Sequence, residues 1–334
     1  MILVIIAMVI IGASEITIVF GNTFFENPVL YSESPDPWVL YCEEDGYYYL
    51  MVTTGDGVWV RRSKELHNMK YAEKILLWCG IGDSEIKSNV WAPELHKIDG
   101  KWYIYACGCL REKYEEHSMR LFVLESQTES PLGPYEYRGI LIPDVPAIDP
   151  TVWQDPVTKK LYIAWSQFDT EGQCIYIAPM ESPIKVGYPR VKISKPEYDW
   201  EKRGAPINEG PQFLYNSEKG KLFLVYSASG TWTPDYCLGM LVFKGGNLLD
   251  PNNWEKMPEP VFKRADQNKV WGPGHCSFVK TPSGEHWLVY HAKSTTSYTM
   301  RDRSTRIQPF LWNEEGFPIF GEPLPLTMKL PCPK

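Results

Sequence analysis

Three acidic side chains stand out because each lies beside a proline or a glycine at the start of an apolar, strand-like segment. They are Asp36 in SPDPWV, Asp149 in AIDPTVW and Glu209 in INEGPQ. Asp-Pro and Glu-Gly pairs also occur as ordinary turn residues. Core packing does not explain three of them in register, however, since an unpaired buried carboxylate is costly. The repeated placement predicts that the three carboxylates meet at one site and act there.

Carboxylates grouped in this way can carry out general acid–base chemistry, and three at one site indicate glycoside hydrolysis. That reaction needs one carboxylate as a base or nucleophile and one protonated carboxylic acid. A third carboxylate can raise the pKa of the acid through like-charge repulsion. The sequence has no G-x-S-x-G, H-E-x-x-H, P-loop or dinucleotide motif, which argues against the enzymes that use them. A non-catalytic sugar-binding protein is the alternative from another class.

The elements that must position these residues form a repeat. An aromatic strand recurs five times at steps of 54 to 64 residues: YYYLMVT (47–53), KWYIYAC (101–107), KLYIAWS (160–166), KLFLVYS (221–227) and EHWLVYH (285–291). A second strand precedes each of them, and the acidic motifs open three of these preceding strands. A meander of this size cannot bury both of its faces alone. The repeat therefore predicts an all-β fold, a five-bladed β-propeller formed by a single domain over residues 22–334.

The composition of the chain supports an all-β fold. Aromatic residues make up 14% of it, and there are 25 glycines and 28 prolines, as expected for many short strands joined by turns. Two β-sandwiches in tandem are the alternative, but no linker or change of composition divides the chain. We expect the segment 306–326 to close the ring of blades against the first blade.

The first residues have the pattern of a targeting signal. Residues 1–13 are apolar without interruption, too few to span a bilayer, which needs about 20, and small residues follow them. We therefore expect a secretory signal peptide over residues 1–14, with a buried first strand as the alternative. The mature protein is expected to be extracellular, monomeric and not bound to a membrane. A net charge of −7 without a basic cluster argues against a nucleic-acid partner.

Five segments carry the residues expected around one mouth of the propeller channel: SPDPWV (34–39), VWAPELH (90–96), AIDPTVW (147–153), INEGPQ (207–212) and WGPGHCSF (271–278). In this order and spacing they closely resemble glycoside hydrolase family 43, over nearly all of the chain after the predicted signal peptide. The resemblance implies a five-bladed propeller that hydrolyses arabinose- or xylose-containing glycans with inversion. It implies that Asp36 is the general base, that Glu209 is the general acid, and that Asp149 tunes and orients this acid.

The resemblance also suggests residues that bind an ion or the substrate. His275 resembles the family's channel histidine, which often holds a calcium ion or an ordered water, so a structural calcium in the central channel is implied and no other cofactor is required. Arg303, in RDRSTRIQPFLW (301–312), resembles an arginine that hydrogen-bonds sugar hydroxyls. Three aromatic side chains flank the channel motifs and are candidate platforms for a pentose ring, namely Trp38, Trp91 and Phe168. Core packing is the alternative for each of these three.

Within the family, the segments near both ends of the chain are most similar to single-domain α-L-arabinofuranosidases, which act on arabinose-containing plant cell-wall polysaccharides and oligosaccharides. β-Xylosidase and endo-arabinanase are the alternatives. An exo-acting enzyme needs a closed pocket, and the segments 106–120 and after 229 are long enough to wall one. An inverting mechanism also predicts a separation of roughly 6.5–9.5 Å between the carboxyls of Asp36 and Glu209.

Overall fold

The computed structural model describes residues 24–31, 33–80 and 84–334. The predicted signal peptide at 1–14 therefore lies outside the described residues. Within those ranges the secondary structure consists of 23 strands and five short 3₁₀ helices. No helix among the described residues is long and apolar enough to cross a membrane. Within the described ranges, no disulfide bond is formed by the cysteines at positions 42, 79, 107, 109, 174, 237 and 276.

The strands are short and alternate with tight turns. In chain order they are β1 (Phe24–Phe25), β2 (Trp38–Cys42), β3 (Tyr47–Met51), β4 (Val58–Ser63), β5 (Glu73–Trp78), β6 (Ser88–Ile98), β7 (Lys101–Cys109), β8 (Met119–Ser126), β9 (Tyr135–Ile140), β10 (Ala147–Gln154), β11 (Leu161–Asp169), β12 (Gly172–Ser182), β13 (Lys185–Val186), β14 (Val191–Ser194), β15 (Asn208–Asn216), β16 (Lys221–Ala228), β17 (Cys237–Phe243), β18 (Trp254–Lys256), β19 (Trp271–Lys280), β20 (His286–Lys293), β21 (Ser304–Trp312), β22 (Pro318–Ile319) and β23 (Leu330–Pro331). The 3₁₀ helices span Leu66–Tyr71, Glu116–Ser118, Asp199–Glu201, Pro251–Asn253 and Asp266–Asn268.

Five antiparallel sheets follow one another along the chain, and each is one blade. Their strand orders are β2-β3-β4-β5, β6-β7-β8-β9, β10-β11-β12-β13 with β14 paired to β12, β15-β16-β17-β18 and β19-β20-β21-β22. The first strand of each blade contacts the first strand of the next, and β19 contacts β2, so these inner strands close a ring. The predicted five-bladed β-propeller is confirmed.

The apolar core is divided among the gaps between blades. Each of five buried clusters joins side chains of two neighbouring blades, and one of them joins blade five to blade one. The second strand of a blade is therefore covered on both faces, and in β7 every residue after Lys101 is buried. This two-sided burial explains why the aromatic strands are continuous apolar runs rather than alternating ones.

The ring is closed by residues that precede blade one. Asn27 donates from Nδ2 to the carbonyl of Ile307 at 2.8 Å and accepts from its N–H at 3.0 Å. The N–H of Val29 donates to the carbonyl of Thr305 at 3.0 Å. The segment 306–326, expected to close the ring against blade one, contributes Ile307 and Leu324 to the cluster that joins blades five and one. Part of it forms β21 and β22 of blade five, and the segment before blade one adds to the free edge of β21.

Candidate active site

At equivalent places near the start of the five inner strands, a residue of each blade has a left-handed backbone. These residues are Asp36 (φ 57°), Ala92 (φ 45°), Asp149 (φ 55°), Gly210 (φ 52°) and His275 (φ 44°). A positive φ is uncommon outside glycine, so five at equivalent places mark a shared feature of the blades. In four of the blades the strand register shifts next to this residue, as in a β-bulge. Such a bulge re-aims the local side chains.

This register corrects one expectation. Asp36 and Asp149 occupy equivalent positions in their blades, but Glu209 does not, because Gly210 holds the equivalent place and Glu209 precedes it. The three carboxylates are therefore not in strict register. Glu209 still belongs to the same site, since Gly210 donates its N–H to Oδ2 of Asp149 at 3.0 Å.

Asp36 lies among nitrogen groups of blade five. Its Oδ1 is 3.3 Å from Nδ1 of His275 and 3.4 Å from a guanidinium nitrogen of Arg303. Burial would raise the pKa of Asp36, but these neighbours outweigh it and hold that pKa well below its usual range. Burial also lowers the pKa of His275, so this imidazole is neutral at neutral pH. Arg303 is then the permanent positive charge that keeps Asp36 ionised.

His291 is a site residue that the sequence reasoning missed. It lies on β20, is fully buried, and accepts the backbone N–H of Asp36 at Nδ1 over 3.1 Å. Burial is the largest cause that lowers the pKa of His291, to about 3. The neutral ring uses Nδ1 as an acceptor, and it therefore holds the unusual backbone of Asp36 rather than its carboxylate. Its only signal in the sequence is the last letter of EHWLVYH.

Glu209 has the opposite surroundings. Its Oε1 accepts the hydroxyl of Tyr236 at 2.8 Å, and its Oε2 accepts Nε2 of Gln173 at 3.1 Å. Burial raises the pKa of Glu209 to about 7; the Tyr236 hydrogen bond opposes this rise, and the charge of Asp36 adds to it. Tyr236 and Gln173 were not predicted from the sequence. Glu209 is thus a carboxylic acid that still holds its proton near neutral pH.

Asp149 is buried close to this acid. Burial, followed by the charges of Glu209 and Asp36, raises the pKa of Asp149 well above its usual range. Two neighbouring buried carboxyls cannot both ionise easily, because their negative charges repel, so Asp149 and Glu209 titrate as a pair. The charge of Glu209 thus raises the pKa of Asp149, and repulsion between two carboxylates is mutual. That Asp149 tunes and orients the acid stays a prediction.

A cavity of about 590 Å³ opens beside Glu209, a size typical of small-ligand sites. Trp91 and Phe168, two of the predicted aromatic platforms, line it. Tyr114, from the segment expected to wall a pocket, packs on Trp91 with ring centroids 5.2 Å apart. Further lining residues include Thr231, Trp232 and Met300. Both long segments named from the sequence thus contribute to the wall.

Trp38 lies elsewhere. Its ring packs on His96 with centroids 5.0 Å apart, and it is not among the side chains that line the cavity beside Glu209. Asp36 and Arg303 are not among these lining side chains either. That Trp38 is a platform for the sugar therefore stays a prediction, with core packing as its alternative.

Arg303 and His275 are both placed at Asp36. Arg303 also donates from Nε to the carbonyl of Met300 at 2.8 Å, which connects it to the cavity wall. Calcium takes six to eight oxygen ligands, whereas the described ranges bring together no three His, Cys, Asp or Glu side chains that could hold a metal. The side chains around His275 do not make a calcium site by themselves. A calcium ion or ordered water there stays a prediction.

Comparison with known proteins assigns the chain to a family and to a group of relatives. Residues 25–318 match the model of glycosyl hydrolases family 43. An extracellular exo-α-(1→5)-L-arabinofuranosidase of Streptomyces chartreusis is 35% identical over 279 residues, which cover 80% of this chain and 82% of that protein. Alpha-L-arabinofuranosidase 43 of Humicola insolens is 34% identical over 301 residues, covering 84% of this chain and 60% of the relative.

Other similar proteins are also named arabinofuranosidases, but some of them are longer than this chain. An extracellular exo-α-(1→5)-L-arabinofuranosidase of Streptomyces avermitilis is 34% identical over 90% of this chain and 64% of its own. The chain thus spans less than two thirds of the Humicola and S. avermitilis proteins. The crystal structure of an α-L-arabinofuranosidase from Lactobacillus brevis has a TM-score of 0.84 and 34% identity, covering 91% of this chain and 98% of that one.

Proposed function

This chain belongs to glycosyl hydrolase family 43, and on that premise we propose that it is an inverting, exo-acting α-L-arabinofuranosidase. Its substrates would be arabinose-containing plant cell-wall polysaccharides and oligosaccharides. The names of the relatives support this substrate class. The observation that carries the proposal is a pair of carboxyls with opposite proton affinities at one channel mouth. Asp36 is held ionised, and the pKa of Glu209 is raised to about 7.

In this mechanism Asp36 is the general base. A water beside the anomeric carbon loses a proton to Asp36 as its oxygen forms the new bond to that carbon. The positive charge of Arg303, 3.4 Å from Oδ1, supports the role because it keeps the carboxylate free of a proton. The left-handed backbone of Asp36, held by His291, fixes the direction of the carboxylate.

Glu209 is the general acid. As the bond between the anomeric carbon and the glycosidic oxygen breaks, Glu209 gives its proton to that oxygen, and the aglycone leaves as an alcohol. An ordinary glutamate, with a pKa near 4.3, would be ionised at neutral pH. The raised pKa of Glu209 supports the role because a useful fraction still carries the proton. Asp149 tunes this proton by mutual repulsion.

The cavity supports exo action. Trp91 and Phe168 offer apolar surfaces to a terminal pentose, while Tyr114 and Trp232 narrow the space beside Glu209. Arg303 lies near enough to Asp36 to bond a sugar hydroxyl there as well as the base. Inversion requires room for a water between the two carboxyls, so their separation of roughly 6.5–9.5 Å stays part of the proposal.

The alternatives differ in substrate or in kind. A β-xylosidase or an endo-arabinanase would use the same two carboxyls with a different pocket. A non-catalytic sugar-binding propeller is disfavoured because Asp36, Asp149 and Glu209 are all present and two of them have raised pKa values. A raised pKa shows that the ionised form of the carboxyl is destabilised, which is typical of catalytic sites.

The decisive experiment compares kcat/KM on an aryl α-L-arabinofuranoside, an aryl β-D-xyloside and linear arabino-oligosaccharides. We expect the arabinofuranoside to be preferred, and arabinose to be released from chain ends with inverted configuration in the first product seen by NMR. Preference for the xyloside, or internal cleavage alone, would instead select one of the two alternative enzymes. If the protein binds these sugars but hydrolyses none of them, it is a non-catalytic sugar-binding propeller.

Secretion and a monomeric state belong to the same proposal. The extracellular relatives support export, and the apolar residues 1–13 support a cleaved signal. N-terminal sequencing of secreted protein should find a start between Ser14 and Asn22, and a start at Met1 would contradict it. Light scattering of the purified protein should give the mass of one chain.

A further inference from the structure

Tyr236 is a buried residue that the acid–base assignment leaves without a role. It immediately precedes β17 in blade four and has no exposed surface. Its hydroxyl donates to Oε1 of Glu209 at 2.8 Å. A hydrogen bond to a carboxylate favours the ionised form, so this hydroxyl opposes the burial that keeps Glu209 protonated.

The ring of Tyr236 is held on two sides. One face stacks on His291, with centroids 5.5 Å apart and planes within 1°. On another side lies Gly274, where a β-carbon would come within 2.3 Å of the ring. Only a residue without a side chain leaves space for the ring at this point. The hydroxyl therefore has little freedom to turn away from Glu209.

From Tyr236 a series of contacts runs back to the base. Burial raises the pKa of the Tyr236 hydroxyl, and the side chain of Ser227, on β16, opposes this rise. Oγ of Ser227 accepts the backbone N–H of His275 at 2.7 Å. His275 in turn faces Oδ1 of Asp36 at 3.3 Å. Because Oγ of Ser227 accepts from His275, its own proton is free for Tyr236, whose proton goes to Glu209.

His291 makes a second connection between Tyr236 and Asp36, because its ring stacks on Tyr236 and its Nδ1 accepts the backbone N–H of Asp36. We infer that Tyr236 is a positioning residue that orients the acid Glu209 and ties it, through Ser227 and His291, to the base Asp36. The inference rests on the proposed function for the roles of the two carboxyls. It adds that a hydroxyl outside the lining of the cavity opposes the burial that raises the pKa of the acid.

The test is the pH profile of kcat/KM for Tyr236→Phe, which keeps the ring and removes the hydroxyl. Loss of a hydrogen bond to an ionised carboxyl should raise the pKa of Glu209, and the alkaline limb should move up by about one pH unit. The matched control is Tyr226→Phe. Tyr226 is also buried in blade four and donates to a buried glutamate, Glu201, at 2.8 Å, but away from the cavity. The alkaline limb of the pH profile of Tyr226→Phe should stay in place, even though the stability of this variant falls.

An unmoved limb in an active, folded Tyr236→Phe would overturn the inference, as would an equal shift in Tyr226→Phe. If Tyr236→Phe does not fold, Ser227→Ala should give a smaller shift in the same direction. Titration of ¹³C-labelled glutamate by NMR, with Glu209 assigned from Glu209→Gln, measures the pKa directly. This reading separates the two proposals, because it needs no hydrolysis and an upward shift is expected even if arabinofuranosides are not cleaved.

Discussion

Asp36 and Glu209 are both largely buried carboxyls, yet their neighbours differ in kind. Asp36 faces a guanidinium and two neutral imidazoles, whereas Glu209 faces a hydroxyl and an amide. His275 and then Arg303 lower the pKa of Asp36 against burial, and only the guanidinium carries a permanent charge. At the scale of residues, the protonation state of each carboxyl depends on which polar side chains lie within about 3.5 Å of it, the usual limit of a polar contact.

Truncation of the two carboxyls should separate their roles. Glu209→Ala should lower kcat/KM on natural arabino-oligosaccharides by about 10²–10⁴-fold, because their leaving groups need a proton. The same variant should lose far less on aryl arabinofuranosides with good leaving groups. Asp36→Ala should lose equally on both, since water attack is common to them. Equal losses on both substrates for Glu209→Ala would mean that another group is the acid.

Replacing Asp149 by Asn should move the alkaline limb of kcat/KM down in pH. The ionised pair repels, and this repulsion raises the pH at which the last proton leaves Asp149 and Glu209. A neutral Asn removes the repulsion, so Glu209 loses its proton at lower pH. Asp144→Asn, at an exposed carboxylate paired with Arg190, is the control and should leave the limb in place. A limb that rises, or stays fixed, in Asp149→Asn would contradict the coupling.

At the scale of elements, the site is made by the left-handed residue at the start of each inner strand. Gly210 shows what this position requires. Its φ is +52°, and a β-carbon there would lie 3.1 Å from the ring of His275. Its N–H also bonds Asp149. The left-handed position thus directs the carboxylate of Asp149 in blade three, and in blade four, at Gly210, it leaves space for the imidazole of His275.

Gly210→Ala should therefore damage activity more than stability. The left-handed backbone should cost about 1 kcal/mol of the free energy of unfolding, and the added methyl group should displace His275 from Asp36 and lower kcat/KM. Gly220→Ala is the matched control, with φ +63° and no atom within 4 Å of an added β-carbon. Both variants should lose similar stability by thermal melting. If both also keep full activity, the contact with His275 does not matter.

The repeat could be predicted because an inner and an aromatic strand recur in every blade at steps of 54 to 64 residues, and two-sided burial keeps both strands apolar. The positions of Asp36, Asp149 and His275 followed from that repeat. Tyr236, Gln173 and His291 could not be found in this way. Tyr236 reaches Glu209 within blade four, from the segment before β17. Gln173 and His291 reach the site because neighbouring blades pack together. A sequence pattern within one blade carries no information about that packing.

At the scale of the whole molecule, the base straddles the closure of the ring. Asp36 opens blade one, but three side chains that surround it, His275, His291 and Arg303, belong to blade five. Two residues before Asp36, Ser34 donates its N–H to the carbonyl of Arg303 at 2.9 Å. The contacts that close the propeller therefore also assemble the environment of the base.

Asn27 tests this link between closure and activity. It is 5% exposed, and its side chain satisfies both backbone groups of Ile307 on β21, far from the cavity. Asn27→Ala should lower the free energy of unfolding by about 2 kcal/mol, because two buried polar groups lose their partner. In native buffer kcat/KM should be unchanged, since the other closing contacts remain. In urea, activity should disappear at a lower concentration than in the wild type, together with unfolding followed by tryptophan fluorescence.

Asn252→Ala, at an exposed asparagine, should behave as the wild type. Activity that outlasts unfolding of the closure, or an Asn27→Ala midpoint equal to that of Asn252→Ala, would show that the base does not depend on the joined ends of the ring.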